Sequence, residues 1–280
     1  MKERLAPAFA GHPLNSTRYV HLVAEISKRV FADRAEYLGD PGFVDVPVAR
    51  LMDPAYLDRR TAEVSLERPS STPSVRPGLA ESPQTTHFSI LDDRGNAVAL
   101  TFTLNGGFGN GVVVTGAGFL LNNEMDDFSI RPGQPNLYGV VGGRANEIAP
   151  GKRMLSSMTP TLVLEDGRVR AIVGTPGGST IITAVFQTLV NLRDFGLPPL
   201  AAISAARFHH QLLPPDRIIY SRCCALETQT VQELRALGYT VEPSSWEFGD
   251  MQVVTVDAAG RVDAASDVRG RGVSVVFPKP

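Results

Sequence analysis

The residues that first point to chemistry are Gln84-Thr85-Thr86-His87-Phe88-Ser89, a hydroxyl-rich entry to a strand directly behind a segment suited to cleavage. Residues 68–84 hold four prolines, four serines and almost no bulky apolar groups, the composition of an exposed, extended linker. Scission between Gln84 and Thr85 would make Thr85 an N-terminus. A threonine hydroxyl is a weak nucleophile at its own pKa, but a free α-amine titrating near ~8 on the same residue can take its proton. Cleavage would therefore assemble the reactive group. The same residues also suit a plain strand after a plain linker, and on the residues alone both readings stand.

Other routes to catalysis are closed or weak. There is no Gly-x-Ser-x-Gly elbow, no His-Glu-x-x-His, no Walker loop and no Gly-x-Gly-x-x-Gly opening a helix after a strand. The acidic run Glu124-Met125-Asp126-Asp127 lacks the alternating oxygen ligands of a calcium loop. The cysteines, Cys223 and Cys224, are neighbours, too close for an ordinary structural bridge and without the second ligand pair of a zinc site.

The elements that must position Thr85 follow from periodicity. Thr86 to Leu91 and Ala97 to Leu104 alternate about Asp92-Asp93-Arg94-Gly95-Asn96, which predicts a β-hairpin. Thr161 to Leu164 and Val169 to Val173 predict a second, and Met251 to Val256 with Arg261 to Ala265 a third. Thr175-Pro176-Gly177-Gly178-Ser179 then turns the chain into a helix carrying Ile182, Val185, Phe186 and Leu189, with Ser179 as its cap. Upstream, Asn15 or Ser16 caps a helix whose stripe is Tyr19, Leu22, Val23, Ile26 and Val30, running to about Arg34. A shorter helix is expected over Asp53 to Ala62, and another over Thr228 to Leu237, closed by Gly238. Hairpins first and packed helices later predict a layered α+β fold rather than a doubly wound parallel sheet.

With 280 residues, 43% hydrophobic and 20% charged, the chain can bury a sizeable core, and no apolar run approaches a transmembrane length. Lys plus Arg (27) nearly balance Asp plus Glu (29), so no basic excess favours nucleic acid. Met1 to Gly11 carry only a short, proline-broken apolar run, too short for the core of a secretory signal.

Six segments occur together in order: Gln84-Thr85-Thr86-His87-Phe88-Ser89, Thr101-Phe102-Thr103-Leu104-Asn105, Leu120 to Phe128 (LLNNEMDDF), Leu155-Ser156-Ser157-Met158, Pro176-Gly177-Gly178-Ser179 and Arg207-Phe208-His209-His210-Gln211. Together they resemble the γ-glutamyltransferases, an autoprocessed family of the N-terminal nucleophile (Ntn) hydrolase fold. The resemblance begins near residue 15, and Ala32 to Asp40 looks like the end of that family's large subunit. It implies an αββα sandwich incomplete at its N-terminal side, with residues 1–84 a remnant of the large subunit and 85–280 the small, catalytic subunit.

By matching position, the resemblance implies that Thr85 is both the autocleavage point after Gln84 and the nucleophile, and that Thr103 orients it. Asn105, Glu124 and Asp127 match positions holding the glutamyl head group, and Ser156 and Ser157 a pair that grips its carboxylate. Gly177 and Gly178 match the oxyanion hole, and Tyr138 the lid tyrosine. Read alone, Thr101 and Thr103 are ordinary same-face strand residues and the serines ordinary turn residues. His209 and His210 read as packing histidines.

The implied reaction is transfer of a γ-glutamyl group from glutathione and other γ-glutamyl compounds through an ester on Thr85 to water or to an acceptor amino acid or peptide. No cofactor and no metal is called for. The alternatives are a related acylase acting on glutaryl-type side chains and a fragment that needs the missing large-subunit portion. No arginine matches the family's carboxylate clamp, which lies in that portion. Family resemblance implies a periplasmic or extracellular location.

Overall fold

The computed structural model describes residues 1–70 and 85–278. Most of the expected linker, and Gln84 with it, lie outside the described residues.

Ser16 caps the first long helix, its Oγ accepting from the Tyr19 amide at 3.4 Å. Asn15 just before it holds a left-handed backbone at φ 61°. This helix, α1 (Thr17–Tyr37), continues past the expected end at Arg34. It is buried round most of its circumference rather than along one stripe. His21, Glu25, Lys28 and Arg29 are as inaccessible as Leu22 and Ile26, whereas Val30, expected on the buried stripe, is 40% exposed. Buried charges need partners, and α1 supplies them. Glu25 accepts from Arg29 Nη1 at 2.9 Å, from Lys28 Nζ at 3.3 Å and from the Ser70 amide at 3.0 Å. A shorter helix, α2 (Pro54–Ala62), starts where Asp53 accepts from the Tyr56 amide at 2.9 Å.

Strands β1 (Thr85–Leu91) and β2 (Ala97–Thr103) pair antiparallel from Thr85↔Thr103 to Leu91↔Ala97. Their turn is set by Asp92 Oδ1, which accepts from the amides of Arg94 and Asn96. The two-residue period then sorts the side chains. Thr85, His87, Ser89, Ala99, Thr101 and Thr103 face inward, while Phe88, Ile90, Val98, Leu100 and Phe102 face outward and are exposed.

A four-stranded antiparallel sheet lies beneath, in the order β3 (Thr161–Glu165), β4 (Arg168–Gly174), β8 (Gln252–Val256), β9 (Val262–Ser266). The hairpin packs on β4 and β8. Helices α3 (Thr180–Arg193) and α4 (Pro199–Ser204) also pack on this sheet, where Ile181, Ala184, Val185 and Ile203 meet Ala171, Val173, Met251 and Val253. The layer order is therefore helix, sheet, hairpin, with the hairpin's outer apolar face left open among the described residues.

A second core joins Tyr19, Val20, Val23 and Ala24 of α1 to a smaller sheet and a covering helix. That sheet is β5 (Phe208–His209), β6 (Arg217–Tyr220) and β7 (Thr240–Pro243), the last pair parallel. Helix α5 (Thr228–Ala236) covers it, and Gly238 follows with φ 108°. His209 and His210 are packing residues, both buried, with Nδ1 of His209 on Thr183 at 2.7 Å and Nδ1 of His210 on the Arg217 carbonyl at 2.8 Å. Among the described residues no helix is long and apolar enough to cross a membrane.

Candidate active site

The register of the first hairpin places Thr85 opposite Thr103, and the Thr85 hydroxyl donates to Thr103 Oγ1 at 3.1 Å. Thr103 Oγ1 also accepts from the Asn105 amide at 2.8 Å, so both of its lone pairs are engaged. Asn105 turns the chain away from β2 in a left-handed conformation (φ 68°), which asparagine tolerates better than most residues. Its side-chain amide donates to the Asn123 carbonyl at 3.3 Å, and its own carbonyl accepts from the Tyr138 hydroxyl. One residue beyond Thr86 on the same strand, His87 is buried between Thr101 Oγ1 (2.7 Å) and Ser89 Oγ (3.1 Å). Burial pushes its pKa down to about 4, so at neutral pH it is an uncharged bridge.

The acidic turn folds inward. Asp127 accepts from Asn136 Nδ2 at 3.1 Å, and burial, then the neighbouring Glu124, raises its pKa to about 7. Glu124 is itself buried and shifted upward by burial, and its Oε1 has no hydrogen-bond partner among the described residues. A cation faces Asp127. Arg34, buried on α1, donates from Nη2 to Ser157 Oγ at 3.2 Å; burial lowers its pKa to about 10, and the charge of Asp127 opposes that shift. Sequence reasoning missed Arg34. The available signal was an arginine eight residues after Ile26, near the end of the same buried helix. Ser156 Oγ accepts from the Met158 amide at 3.0 Å, so the turn role expected of it is also filled.

Gly177 (φ 141°) and Gly178 (φ 54°) lie between β4 and α3. Their carbonyls accept from the Thr180 and Ile181 amides, which closes the first turn of the helix. Ser179 stands at the N-cap position but makes no side-chain capping bond. Its Oγ points to the Tyr138 carbonyl at 3.5 Å, and Thr180 Oγ1 donates to the Gly177 carbonyl at 2.6 Å instead. The expected cap is therefore corrected: Ser179 has helical backbone angles, which turn its hydroxyl away from the helix amides. The Tyr138 ring packs against Gly178, where a Cβ would overlap it.

Thr85, Thr103, Asn105, Asp127, Tyr138, Ser156, Ser157 and Gly178 line one cavity of about 20 Å³, together with Met158 and Ile181. That volume holds about one water. Glu124 and Gly177 border the cluster without lining the cavity. A larger groove of about 850 Å³ runs along the other side of β1 beside residues 272–278. Thr85 lines that groove too, but the other polar groups expected to act with it gather on the small cavity.

A family model described as gamma-glutamyltranspeptidase matches residues 1–277. The chain belongs to the gamma-glutamyltranspeptidase family. The glutathione hydrolase proenzyme of Pseudomonas aeruginosa is 59% identical over 99% of this chain and 49% of its own length. An acylase ACY 1 proenzyme from a Pseudomonas species is 37% identical over 94% of this chain and 44% of its own length. A solved gamma-glutamyltranspeptidase from Pseudomonas nitroreducens, complexed with L-DON, superposes with a TM-score of 0.67 at 55% identity, covering 69% of this chain and all of that one. The chain thus spans about half the length of the curated relatives it matches. The fold is the α+β sandwich of the Ntn hydrolases, as expected for a gamma-glutamyltranspeptidase.

Proposed function

We propose that this chain is the catalytic half of an enzyme that cleaves itself between Gln84 and Thr85 and then transfers γ-glutamyl groups from glutathione and related amides. The observation that carries this reading is the Thr85–Thr103 contact at 3.1 Å, at the edge of a cavity lined by groups suited to an amino-acid head.

Before cleavage the Thr85 nitrogen is an amide, so its hydroxyl must act without an amine base. Attack of Oγ1 on the Gln84 carbonyl carbon forms an ester and frees the Thr85 amine. Water then hydrolyses that ester, leaving a Gln84 carboxylate and an N-terminal threonine. In the mature enzyme the amine takes the hydroxyl proton and Oγ1 attacks the γ-glutamyl carbonyl. The leaving amine departs protonated, and water or an amino acid takes the acyl group from the Thr85 ester. Thr103 keeps the Thr85 hydroxyl on one side through both stages.

The substrate's α-ammonium has acceptors in Asp127 and Glu124, and its α-carboxylate has donors in Ser156, Ser157 and the Asn105 side chain. Arg34 holds Ser157 from behind and favours the ionised form of Asp127. Gly177 and Gly178, at the start of α3, are assigned to the oxyanion; losing one such donor costs roughly 3 kcal/mol of barrier. Tyr138 against Gly178 closes the cavity, and its displacement opens it to a ligand larger than water.

The acylase reading is weaker because a glutaryl side chain has no ammonium for the Asp127–Glu124 pair to accept. The upstream half of the protein is part of the proposal. The outer face of the hairpin, with Phe88, Ile90, Val98, Leu100 and Phe102, is the apolar surface it would cover. Intact-mass analysis of the incubated protein and of Thr85→Ala tests the reading, followed by hydrolysis of a chromogenic γ-glutamyl anilide. New fragments with N-terminal Thr85, absent from the variant, are expected. An uncut chain, even with the upstream half present, overturns it.

A further inference from the structure

Cys223 and Cys224 take no part in the site described above. Both thiols are free, with Sγ atoms 3.4 Å apart, and Cys223 is exposed. The loop that carries them is held firmly. The Glu247 carboxylate accepts from the amides of Arg222 and Cys223, each at 2.8 Å, and from Ser221 Oγ at 2.7 Å. Arg269 Nε donates to the same Ser221 Oγ at 2.8 Å. Neighbouring Cα atoms are only about 3.8 Å apart, below the ~4.4–6.8 Å span of unstrained bridges. A bond between these sulfurs is therefore strained and readily reduced, which suits reversible chemistry and not a structural staple.

We infer that Cys223 and Cys224 form a redox site, a vicinal dithiol oxidised by low-molecular-weight disulfides and restored by low-molecular-weight thiols. The Cys223 thiolate attacks one sulfur of the disulfide RSSR, forming a mixed disulfide and expelling one thiolate, which takes up the proton Cys223 released. The Cys224 thiolate then attacks the Cys223 sulfur and expels the second thiolate, which takes up the Cys224 proton. The protein loses two electrons and two protons, and RSSR becomes two RSH. The order follows from exposure, because Cys223 is the thiol that an incoming disulfide can reach. Burial and the hydrogen bond to Cys223 push the Cys224 thiol up, with Arg269 opposing, so Cys224 is the poorer first attacker; in the second step its sulfur already lies 3.4 Å from that of Cys223.

The test uses the full chain and hydroxyethyl disulfide, a probe without a γ-glutamyl bond, so the outcome does not depend on the proposed enzymatic activity. After incubation, remaining thiols are alkylated and the peptide containing residues 223–224 is weighed without reduction. The expected product is lighter than the dithiol peptide by two hydrogens, carries no alkyl group and reverts with a thiol reductant. Cys224→Ser should stop at a stable mixed disulfide on Cys223, whereas Cys223→Ser should leave Cys224 a free thiol that is alkylated once the chain is unfolded. Wild-type protein that stays alkylatable, that ends with mixed disulfides on either cysteine, or that links to a second chain instead overturns the inference.

Discussion

Thr85 and Thr103 face each other across the end of an antiparallel pair, hydroxyl to hydroxyl at 3.1 Å, with the Asn105 amide donating to the same Thr103 oxygen at 2.8 Å. The Thr103 oxygen thus fixes both the proposed nucleophile and the turn that leads into the acidic loop. Thr103→Val keeps the shape and removes the acceptor. Self-cleavage is expected to slow by roughly 10- to 100-fold, the effect of loosening a reacting group, while Thr103→Ser should stay close to wild type. The time course of intact chain by mass spectrometry measures this. Equal rates for the valine and serine variants would refute the positioning role.

The hairpin could be read from sequence because its information is local: alternation on either side of a turn whose Asp92 closes the loop. The first long helix's cap, narrowed to Asn15 or Ser16, and the start of α2 at Asp53 could be read for the same reason. Strands β5, β6 and β7 could not, since segments of two to four residues carry no period and depend on pairing across distant stretches of chain. Arg34 was hidden because its meaning depends on Ser157 and Asp127, far along the chain. Val30 was misjudged because α1 is enclosed by neighbours on several sides, so a single stripe does not describe its burial.

His87 explains why β4 ends in glycine. A Cβ on Gly174 would overlap the imidazole, which is fixed by Thr101 and Ser89. Gly174→Ala is expected to destabilise the protein by about 1–3 kcal/mol, the usual cost of overpacking. Combining it with His87→Ala should cost less than the sum of the single changes. Denaturant melts of the two single variants and the double variant form the cycle. Strict additivity would show that the two residues are not in conflict.

Glu25 is fully buried and bears the charges of Lys28 and Arg29 while accepting from Ser70, the third residue of the expected linker and the last one described in it. Glu25→Gln removes the carboxylate shared by two buried cations, but Lys28 keeps Asp216 at 2.6 Å and Arg29 keeps Glu63 at 3.7 Å, so the loss should fall at the low end for a broken buried pair, about 3 kcal/mol. Burial alone would raise the Glu25 pKa, but Ser70, Arg29 and Lys28 together bring it down to about 2. A depressed carboxyl pKa contributes stability above the unfolded value near 4.5, and this contribution is lost as pH falls through about 2. Thermal melts between pH 2 and 5 should show wild type converging on Glu25→Gln at the acid end. A constant gap across that range would rule out the ionised carboxylate as the source.

Asp127 has the opposite sign. Burial and Glu124 raise its pKa from 3.8 to about 7. Between these values the folded chain keeps a proton that the unfolded chain has lost, so this group's contribution to stability is greatest below pH 4 and falls away as pH rises through 7. Asp127→Asn should flatten that decline and, near pH 8, melt at a higher temperature than wild type. Activity should move the other way, since an ammonium is best accepted by the carboxylate. For the free enzyme kcat/KM should rise with pH through about 7, on the limb that also deprotonates the Thr85 amine near ~8. The asparagine variant should lose at least about tenfold in kcat/KM, mainly through KM, because it removes a charge-assisted contact worth roughly 1.5–3 kcal/mol. Pairing the melts with the kinetics makes the test decisive: a variant that is less stable at pH 8, or one with unchanged KM, would show that Asp127 is not a strained acceptor awaiting its ligand.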